Sequence, residues 1–173
     1  MNPMSAIHTA HDVAIPVSIP GSPKPILVLG VGNILLGDEG VGVRVVDRLM
    51  NEPLPPNVEV CDGATAGADL IDLVAGRDKV IIIDAAQTGA PPGTIFRFTP
   101  GQVESDASVI LSLHEIGVME AVHMAGILGD GPKEVVIFAV APKTISPQLQ
   151  LSPEIRAVIP RIMDIVKREL FPA

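Results

Sequence analysis

The sequence predicts a single α/β domain in which helices cover both faces of a five-stranded, mostly parallel sheet with one antiparallel edge strand. The 173 residues fit one domain with a large core. Short, nearly all-apolar runs alternate with amphipathic helical patterns in the order βαβαββαβα, which is typical of such sheets. Hydrophobic residues make up 47% of the chain and charged residues 18%, a composition that excludes wholesale disorder.

The first half of the chain contains three apolar runs and two helical patterns. Ile26–Val31 is a run that ends at glycines, as a strand buried on both faces does, and Val58–Cys61 and Val80–Ile83 are the next two strands. Gly40–Met50 carries valines at helical spacing, and Thr65–Ala75 reads as a helix with a threonine N-cap. These elements predict two consecutive right-handed βαβ units.

The second half begins with a strand that cannot be parallel to its predecessor. The link before Gly93–Phe98 is too short for a helical crossover, so this strand is expected to be antiparallel and to lie at an edge. A polar loop over Gly101–Ile110 precedes Leu113–Leu128, a helix that is apolar on most sides and is therefore expected to be largely buried. The fifth strand is Glu134–Val140. The predicted strand order is 2-1-3-5-4.

The last helix begins at Ser152-Pro153-Glu154, with proline in the first helical position, and extends to Leu170. Pro160 lies inside its apolar pattern and is expected to kink or split it.

Residues 1–25 form a proline-rich segment that we expect to be a flexible extension, followed by one domain over residues 26–173. The segment has neither a basic start nor an unbroken apolar stretch, so it does not resemble a signal peptide. A single cysteine excludes a disulfide framework and a cysteine-rich zinc site. It favours a reducing compartment, so we expect a cytoplasmic protein.

The charge balance argues against nucleic acid and anionic membranes as partners. The chain has 12 Lys+Arg and 20 Asp+Glu residues, which gives a net charge of −8, and no basic cluster is evident. Trp and Tyr are absent and there are only four Phe, so aromatic side chains on which bases could stack are essentially absent. A small molecule or another protein is the expected partner.

Acidic residues follow three of the predicted parallel strands. Asp38 and Glu39 come after the first strand, Asp62 after the second and Asp84 after the third. Ligands of such sheets bind beyond the carboxyl ends of the strands. Several carboxylates are therefore expected to gather at one rim.

A nucleotide-dependent α/β enzyme is one interpretation of this rim. Gly30 and Gly32 match the start of a dinucleotide fingerprint, and Asp62 ends a strand where a ribose-binding acid would lie. The third glycine is replaced by Leu35, however. Acidic residues at the following helix start would also repel a pyrophosphate.

A metal centre is the second interpretation. Glu39, Asp84 and His114 would supply two oxygens and one nitrogen and leave coordination positions open. His114 at a helix N-terminus is biased towards the neutral imidazole that ligates metals. Carboxylates can equally complement a helix dipole or cap a turn, and His114 can be an ordinary polar residue. Pattern alone leaves these alternatives open.

Nucleophilic hydrolase motifs are absent from the sequence. It contains neither a G-x-S-x-G elbow nor an H-E-x-x-H helix. Cys61 ends a strand among apolar neighbours and is interpreted as a small core residue rather than a nucleophile.

From Ile26 to about Leu170 the chain resembles the [NiFe]-hydrogenase maturation endopeptidases. Four segments carry the resemblance in the same order: ILVLGVGNILLGDEGVGVRV at Ile26–Val45, DGATAG at Asp62–Gly67, VIIIDA at Val80–Ala85 and LHEIG at Leu113–Gly117. The first segment is long and specific, and the other three are short.

The resemblance implies a protease that removes a C-terminal extension from the precursor of the hydrogenase large subunit after nickel has been inserted. Nickel would serve as a recognition feature brought by the precursor, and the protease would carry no permanent cofactor. A non-cleaving module that senses the nickel site is the alternative. We expect a monomer whose partner is this precursor.

The resemblance also assigns residues. The family's metal-contacting glutamate, aspartate and histidine fall on Glu39, Asp84 and His114, and Asp38 matches a neighbouring acidic position. These four are the catalytic candidates, with Asp38 or Asp84 as a possible base. The substrate-recognition segment falls on Asp62, Gly63, Ala64 and Thr65, where Ala64 replaces a second glycine of many relatives.

Overall fold

The computed structural model describes residues 25–63, 69–105, 110–111 and 113–171, and of these 103–105, 110–111 and 113–116 by their backbone alone. The predicted extension lies outside the described residues except for Pro25. The strands are Ile26–Gly30 (β1), Val58–Asp62 (β2), Lys79–Gln87 (β3), Ile95–Phe98 (β4), Ile110–Leu111 (β5) and Glu134–Val140 (β6). The helices are Val41–Leu49 (α1), Leu70–Val74 (α2), Pro100–Ser105 (α3), Leu113–Ile127 (α4) and Pro153–Leu170 (α5).

The sheet has the predicted class and strand order. Its strands lie in the order β2-β1-β3-β6-β4, and β6 is the strand predicted as the fifth. The first four are parallel, and β4 pairs antiparallel with β6 at the edge, as its short preceding link requires. The two-residue β5 pairs antiparallel with the end of β3.

Helices pack on both faces of the sheet and bury an aliphatic core on each. Alternate residues of the strands point to opposite faces, as the pleat requires. On one face Val28, Ile81 and Phe138 contact α1 and α5. On the other face Leu29 and Ile82 contact α2 and α4.

Glycines bring the start of α1 directly onto the sheet. A Cβ atom at Gly42 would collide with the carbonyl oxygens of Val31 and Ile83, beyond β1 and near the end of β3. A Cβ at Gly30 would collide with the carbonyl oxygen of Gly42 in the same way. The residues just before α1 are therefore held over the carboxyl edge of β1 and β3.

The structure differs from the sequence prediction in the second half of the chain. The predicted polar loop contains α3 and β5. The expectation that α4 is largely buried is wrong: Val118, Ala121 and Ala125 are buried, but Ile127 and Leu128 are 65% and 69% exposed. Apolar composition on all sides does not specify which side packs on the domain. Among the described side chains of α4, those of residues 117–127, the buried ones lie on one face.

Pro160 does not split α5, which is continuous from Pro153 to Leu170. Proline removes only its own backbone N–H, and Ile159 and Ile162 on either side are buried in the core. Their burial favours one uninterrupted helix. The predicted threonine N-cap of the second helix lies outside the described residues. None of the described helices combines the length and apolar character that crossing a bilayer requires.

The C-terminal end of α5 is tied to the sheet by a charged network around Glu169. Its Oε1 atom lies 2.6 Å from Lys79 Nζ on β3 and 3.0 Å from Arg97 Nη2 on β4, and its Oε2 atom accepts a hydrogen bond from Arg97 Nε at 3.1 Å. The Arg97 hydrogen bonds, reinforced by Lys79, lower the pKa of Glu169 from 4.5 to about 2. The ionised carboxylate therefore stabilises the fold.

We predict that Glu169→Gln lowers the free energy of unfolding at pH 7 by about 1 kcal/mol, since the network is close to solvent. The folded-state pKa is depressed, so this contribution is present above pH 4.5 and is lost as the pH falls towards 2. Urea denaturation at pH 7 and pH 3 measures it, with the exposed Glu120→Gln on α4 as control. An equal loss of stability at both pH values would contradict the prediction.

Candidate functional site

Asp38 and Glu39 lie in a 3₁₀ turn, Asp38–Gly40, that connects the loop after β1 to α1. Both carboxylates are buried, Asp38 completely and Glu39 with 8% of its surface exposed. The two carboxylates differ in their hydrogen-bond partners and therefore in their capacity to bind a further proton or cation.

Asp38 joins the start of α1 to the loop between β6 and α5. Its Oδ1 atom accepts a hydrogen bond from the backbone N–H of Ser152 at 2.7 Å. Its Oδ2 atom accepts three more, from Ser152 Oγ at 2.8 Å and from the N–H groups of Lys143 and Thr144 at 3.0 and 3.1 Å. With four donors on two oxygens, Asp38 fixes a loop and has little capacity left for a reacting proton.

Backbone hydrogen bonds join the same two loops. The N–H of Gly37 donates to the carbonyl of Gln148 at 2.8 Å, and the N–H of Gln148 donates to the carbonyl of Leu35 at 3.0 Å. The N–H of Asp38 donates to the carbonyl of Thr144 at 3.3 Å. The segment 143–152 therefore forms one wall of the site, fixed to the turn that carries Glu39.

The backbone carbonyl of Glu39 and the carboxylate of Asp84 both lie close to Gly32. Gly32 has a φ of +125°, and a Cβ atom there would collide with the carbonyl oxygen of Glu39 and lie 3.5 Å from Asp84 Oδ1. Asp84 lies within β3 rather than after it, because the strand extends four residues beyond the predicted end at Ile83. Its side chain is completely buried, and Oδ1 accepts the N–H of Ala85 at 2.7 Å.

One oxygen of Glu39 has no hydrogen-bond partner in the described part of the chain. This atom, Oε2, is buried. A buried, unpaired carboxylate oxygen is unfavourable by several kcal/mol unless a cation or a donor reaches it. Within the described residues no group of three or more His, Cys, Asp or Glu side chains is arranged to hold a metal. The side chains that the structure describes therefore do not form a complete metal site by themselves.

The backbone places His114 at the same edge of the sheet. It is the second residue of α4, and α4 follows β5, whose Leu111 pairs with Ala86 near the end of β3. The sequence did not establish at which edge this helix begins, and the short β5 ladder places its start near the carboxyl end of β3. The side chain of His114 lies outside the described part of the structure.

The predicted recognition segment is described only at its first two residues. Asp62 ends β2 and is half-buried, with Gly30 of β1 opposite it in register. A Cβ atom at Gly63 would lie 2.9 Å from side-chain atoms of Leu29 and Val31, so this turn packs closely on the sheet. Ala64 and Thr65 lie outside the described residues.

Cys61 is half-buried beside Glu59, whose Oε1 accepts a hydrogen bond from Sγ at 3.5 Å. Burial, followed by the charge of Glu59, raises the pKa of the thiol to about 11. The thiolate is therefore scarce at neutral pH, in agreement with the prediction that Cys61 is not a nucleophile.

Ser152 is the site residue whose role the sequence did not reveal. The sequence placed it at the start of the last helix, and in the structure it is the N-cap, whose Oγ accepts the N–H of Ile155 at 3.4 Å. Its bonds to Asp38 join residues 114 positions apart, and no local pattern indicates such a pair.

Comparisons with known proteins agree on one group. The family model described as hydrogenase maturation protease matches residues 43–169. Hydrogenase 2 maturation protease of Escherichia coli is 38% identical over 136 residues, covering 78% of this chain and 83% of that protein. Hydrogenase expression/formation protein HupD of Thiocapsa roseopersicina is 40% identical over 123 residues, covering 70% of this chain and 56% of that protein.

A solved structure shows the same fold. The hydrogenase maturating endopeptidase HybD from E. coli superimposes with a TM-score of 0.73 at 36% identity, covering 82% of this chain and 88% of that chain.

We predict that Asp38→Asn lowers the free energy of unfolding by about 1–3 kcal/mol, because an amide NH₂ would face donors that now meet an oxygen. The amide protons of Thr144 and Ser152 should also exchange faster with solvent. Chemical denaturation and hydrogen exchange check both effects. Asp47→Asn, at a half-exposed position on α1, is the control and should change stability by less than about 0.5 kcal/mol. Unchanged protection of Thr144 and Ser152 would contradict the role of Asp38.

Proposed function

The chain belongs to the hydrogenase maturation protease family, and on that premise we propose that it removes the C-terminal extension from the nickel-loaded precursor of a [NiFe]-hydrogenase large subunit. It is a hydrolase, an endopeptidase like the relatives it matches. Nickel is part of the substrate in this proposal, and the protease has no resident cofactor.

The observation that carries the proposal is the buried Oε2 atom of Glu39, which has no hydrogen-bond partner in the described part of the chain. The backbone carbonyl of Glu39 and Asp84 Oδ1 both lie close to Gly32. A cation arriving with the precursor would neutralise both carboxylates and supply the missing partner. His114, at the start of α4, would add a nitrogen ligand. Mixed oxygen and nitrogen ligands are compatible with nickel and leave positions for ligands from the precursor.

Thiolates on the nickel would come from the precursor. The single cysteine, Cys61, lies at the end of β2 and carries a thiol whose pKa is raised to about 11. It is therefore a poor source of a metal-bound thiolate near neutral pH. A free thiol also fits a reducing compartment, so we propose that the reaction takes place in the cytoplasm, with the protease acting as a monomer.

Hydrolysis requires water to attack the scissile carbonyl carbon and the leaving nitrogen to take up a proton as the C–N bond breaks. Asp38 and Asp84 are the two bases considered for activating that water. Asp38 already accepts four hydrogen bonds, so Asp84 is the better candidate. In this mechanism Glu39 and His114 recognise the metal and align the peptide, and Asp38 holds the wall of the site.

Exposed apolar side chains beside the site support a protein substrate. Ile34 and Leu35 lie on one of the two joined loops, and Ile145 and Leu149 lie on the other. Leu35 and Leu149 are 57% and 63% exposed. A contiguous apolar rim around a polar site is typical of a surface that another protein covers. We call these four residues the apolar rim.

We predict that Glu39→Gln abolishes processing, lowering the rate by at least about 100-fold, while stability is unchanged or higher because a buried unpaired charge is removed. Asp84→Asn and His114→Ala should also abolish processing. The assay is the intact mass of the precursor, and Glu120→Gln on the exposed side of α4 is the matched control. Full processing by Glu39→Gln or His114→Ala would refute the site assignment.

Nickel dependence is tested with the wild-type enzyme and two preparations of precursor. We expect the mass of nickel-loaded precursor to fall by that of the extension, and nickel-free precursor to stay intact. Equal rates on both would contradict recognition through nickel. Stable binding of the loaded precursor without any change in mass would instead indicate the non-cleaving module.

A further inference from the structure

An open, positively charged pocket lies between α1 and α5, below the loop that forms one wall of the site. Its volume is about 480 Å³. It is lined by three arginines and one aspartate, Arg44, Arg48, Arg156 and Asp47, together with the loop residues Leu149–Leu151 and Ile159. We call it the arginine pocket. Three guanidinium groups against one carboxylate are unusual in a chain with a net charge of −8.

The arginines retain free donors. Arg44 Nη2 donates to the carbonyl of Leu149 at 3.1 Å, and Arg44 Nη1 lies 4.0 Å from Asp47 Oδ2. Arg156 Nη2 donates to the carbonyl of Leu151 at 3.1 Å and to Gln150 Oε1 at 3.5 Å. The guanidinium of Arg48 is exposed and makes no hydrogen bond or ion pair with the part of the chain that the structure describes. A guanidinium carries five N–H donors in a planar fork, so most of them remain available to an anion.

The arginine pocket is continuous with the candidate site. Leu149 belongs both to the apolar rim and to the pocket lining. Arg44 and Arg48 lie on α1, which begins directly after the turn that holds Glu39. At a helical rise of ~1.5 Å per residue, they lie about 7 Å and 13 Å along the axis from Glu39. An extended peptide covers these distances with roughly two to four residues.

We propose that the arginine pocket binds a carboxylate of the C-terminal extension that the reaction removes, an inference that rests on the proposed function. The guanidinium fork matches the two oxygens of a carboxylate, and Leu149 and Ile159 offer apolar contact to the neighbouring chain. The precursor would then be held on both sides of the scissile bond, by its nickel at Glu39 and Asp84 and by its extension at the arginines. The pocket sets the register of the peptide and takes no part in bond breaking.

The test uses Arg48→Gln and the charge-reversal variant Arg48→Glu on nickel-loaded precursor. We leave Arg44 and Arg156 intact because their loss would release the carbonyls of Leu149 and Leu151 and disturb the wall of the site. Arg48→Gln should raise KM, and Arg48→Glu should raise it by about three- to tenfold, with kcat unchanged within twofold. The difference from wild type should shrink at 0.5 M salt, where charges on the surface are screened over about 4 Å.

Arg161→Gln is the control, since it removes the same charge from an exposed position of α5 that does not line the pocket. An Arg48→Glu variant with the KM of the wild type would overturn the proposal, and a fall in kcat alone would also overturn it. Both results leave the proposed function intact. Failure of the wild-type enzyme to cleave the nickel-loaded precursor would instead refute the function itself.

Two further experiments identify which carboxylate of the extension binds in the arginine pocket. The extension, made as a synthetic peptide with either a free or an amidated C-terminus, is tested as a competitive inhibitor of processing. Weaker inhibition by the amidated peptide identifies the terminal carboxylate. A higher KM after the Asp and Glu residues of the extension are changed to Asn and Gln identifies a side chain. Either change should be smaller in Arg48→Glu, and no change in both experiments would overturn the proposal.

Discussion

The buried carboxylate of Asp38 holds the candidate site together. Its four hydrogen bonds connect the turn before α1 with the loop between β6 and α5, two segments more than 100 residues apart. Glu39 is the next residue in the same turn, so the position of the carboxylate that we propose to meet the metal depends on that connection. The apolar rim and the arginine pocket are built on the same two loops and the helices that they join. Removing the carboxylate of Asp38 would loosen all three features together.

Adjacent residues of this turn have opposite effects on stability. Asp38 is fully satisfied and stabilises the loop, whereas Glu39 keeps a buried oxygen without a partner in the described part of the chain. An unsatisfied buried charge persists only where the surrounding structure holds it in place. The close contact of α1 with β1 and β3 at Gly42, together with the bonds of Asp38, supplies that support. In the proposed function, a cation of the substrate would supply the partner that this oxygen of Glu39 lacks.

The sequence was sufficient for the fold because the determining signals are local. The bounds of β6, Glu134–Val140, follow from its apolar run. The antiparallel direction of β4 at the edge follows from the short link before it. The role of Asp38 could not be predicted, because its partners, backbone N–H groups and Ser152, are distant in sequence and have no characteristic spacing. The exposed side of α4 was missed for a related reason. The apolar residues of a helix indicate how much surface the helix could bury. They do not indicate which face of the helix packs on the sheet.

The chemistry of the donor set argues for a metal that arrives with the substrate. Carboxylates and one imidazole bind nickel more weakly than a set that includes thiolates, since thiolates are the softer ligands. A site with high affinity for nickel would remove the metal from the precursor. A weak site, held open by Asp38 and completed by ligands of the precursor, can bind the loaded protein and release it with its metal. Opposite charges at the two places would then orient the precursor. Its nickel would meet the carboxylates of Glu39 and Asp84, and a carboxylate of its extension would meet the arginine pocket.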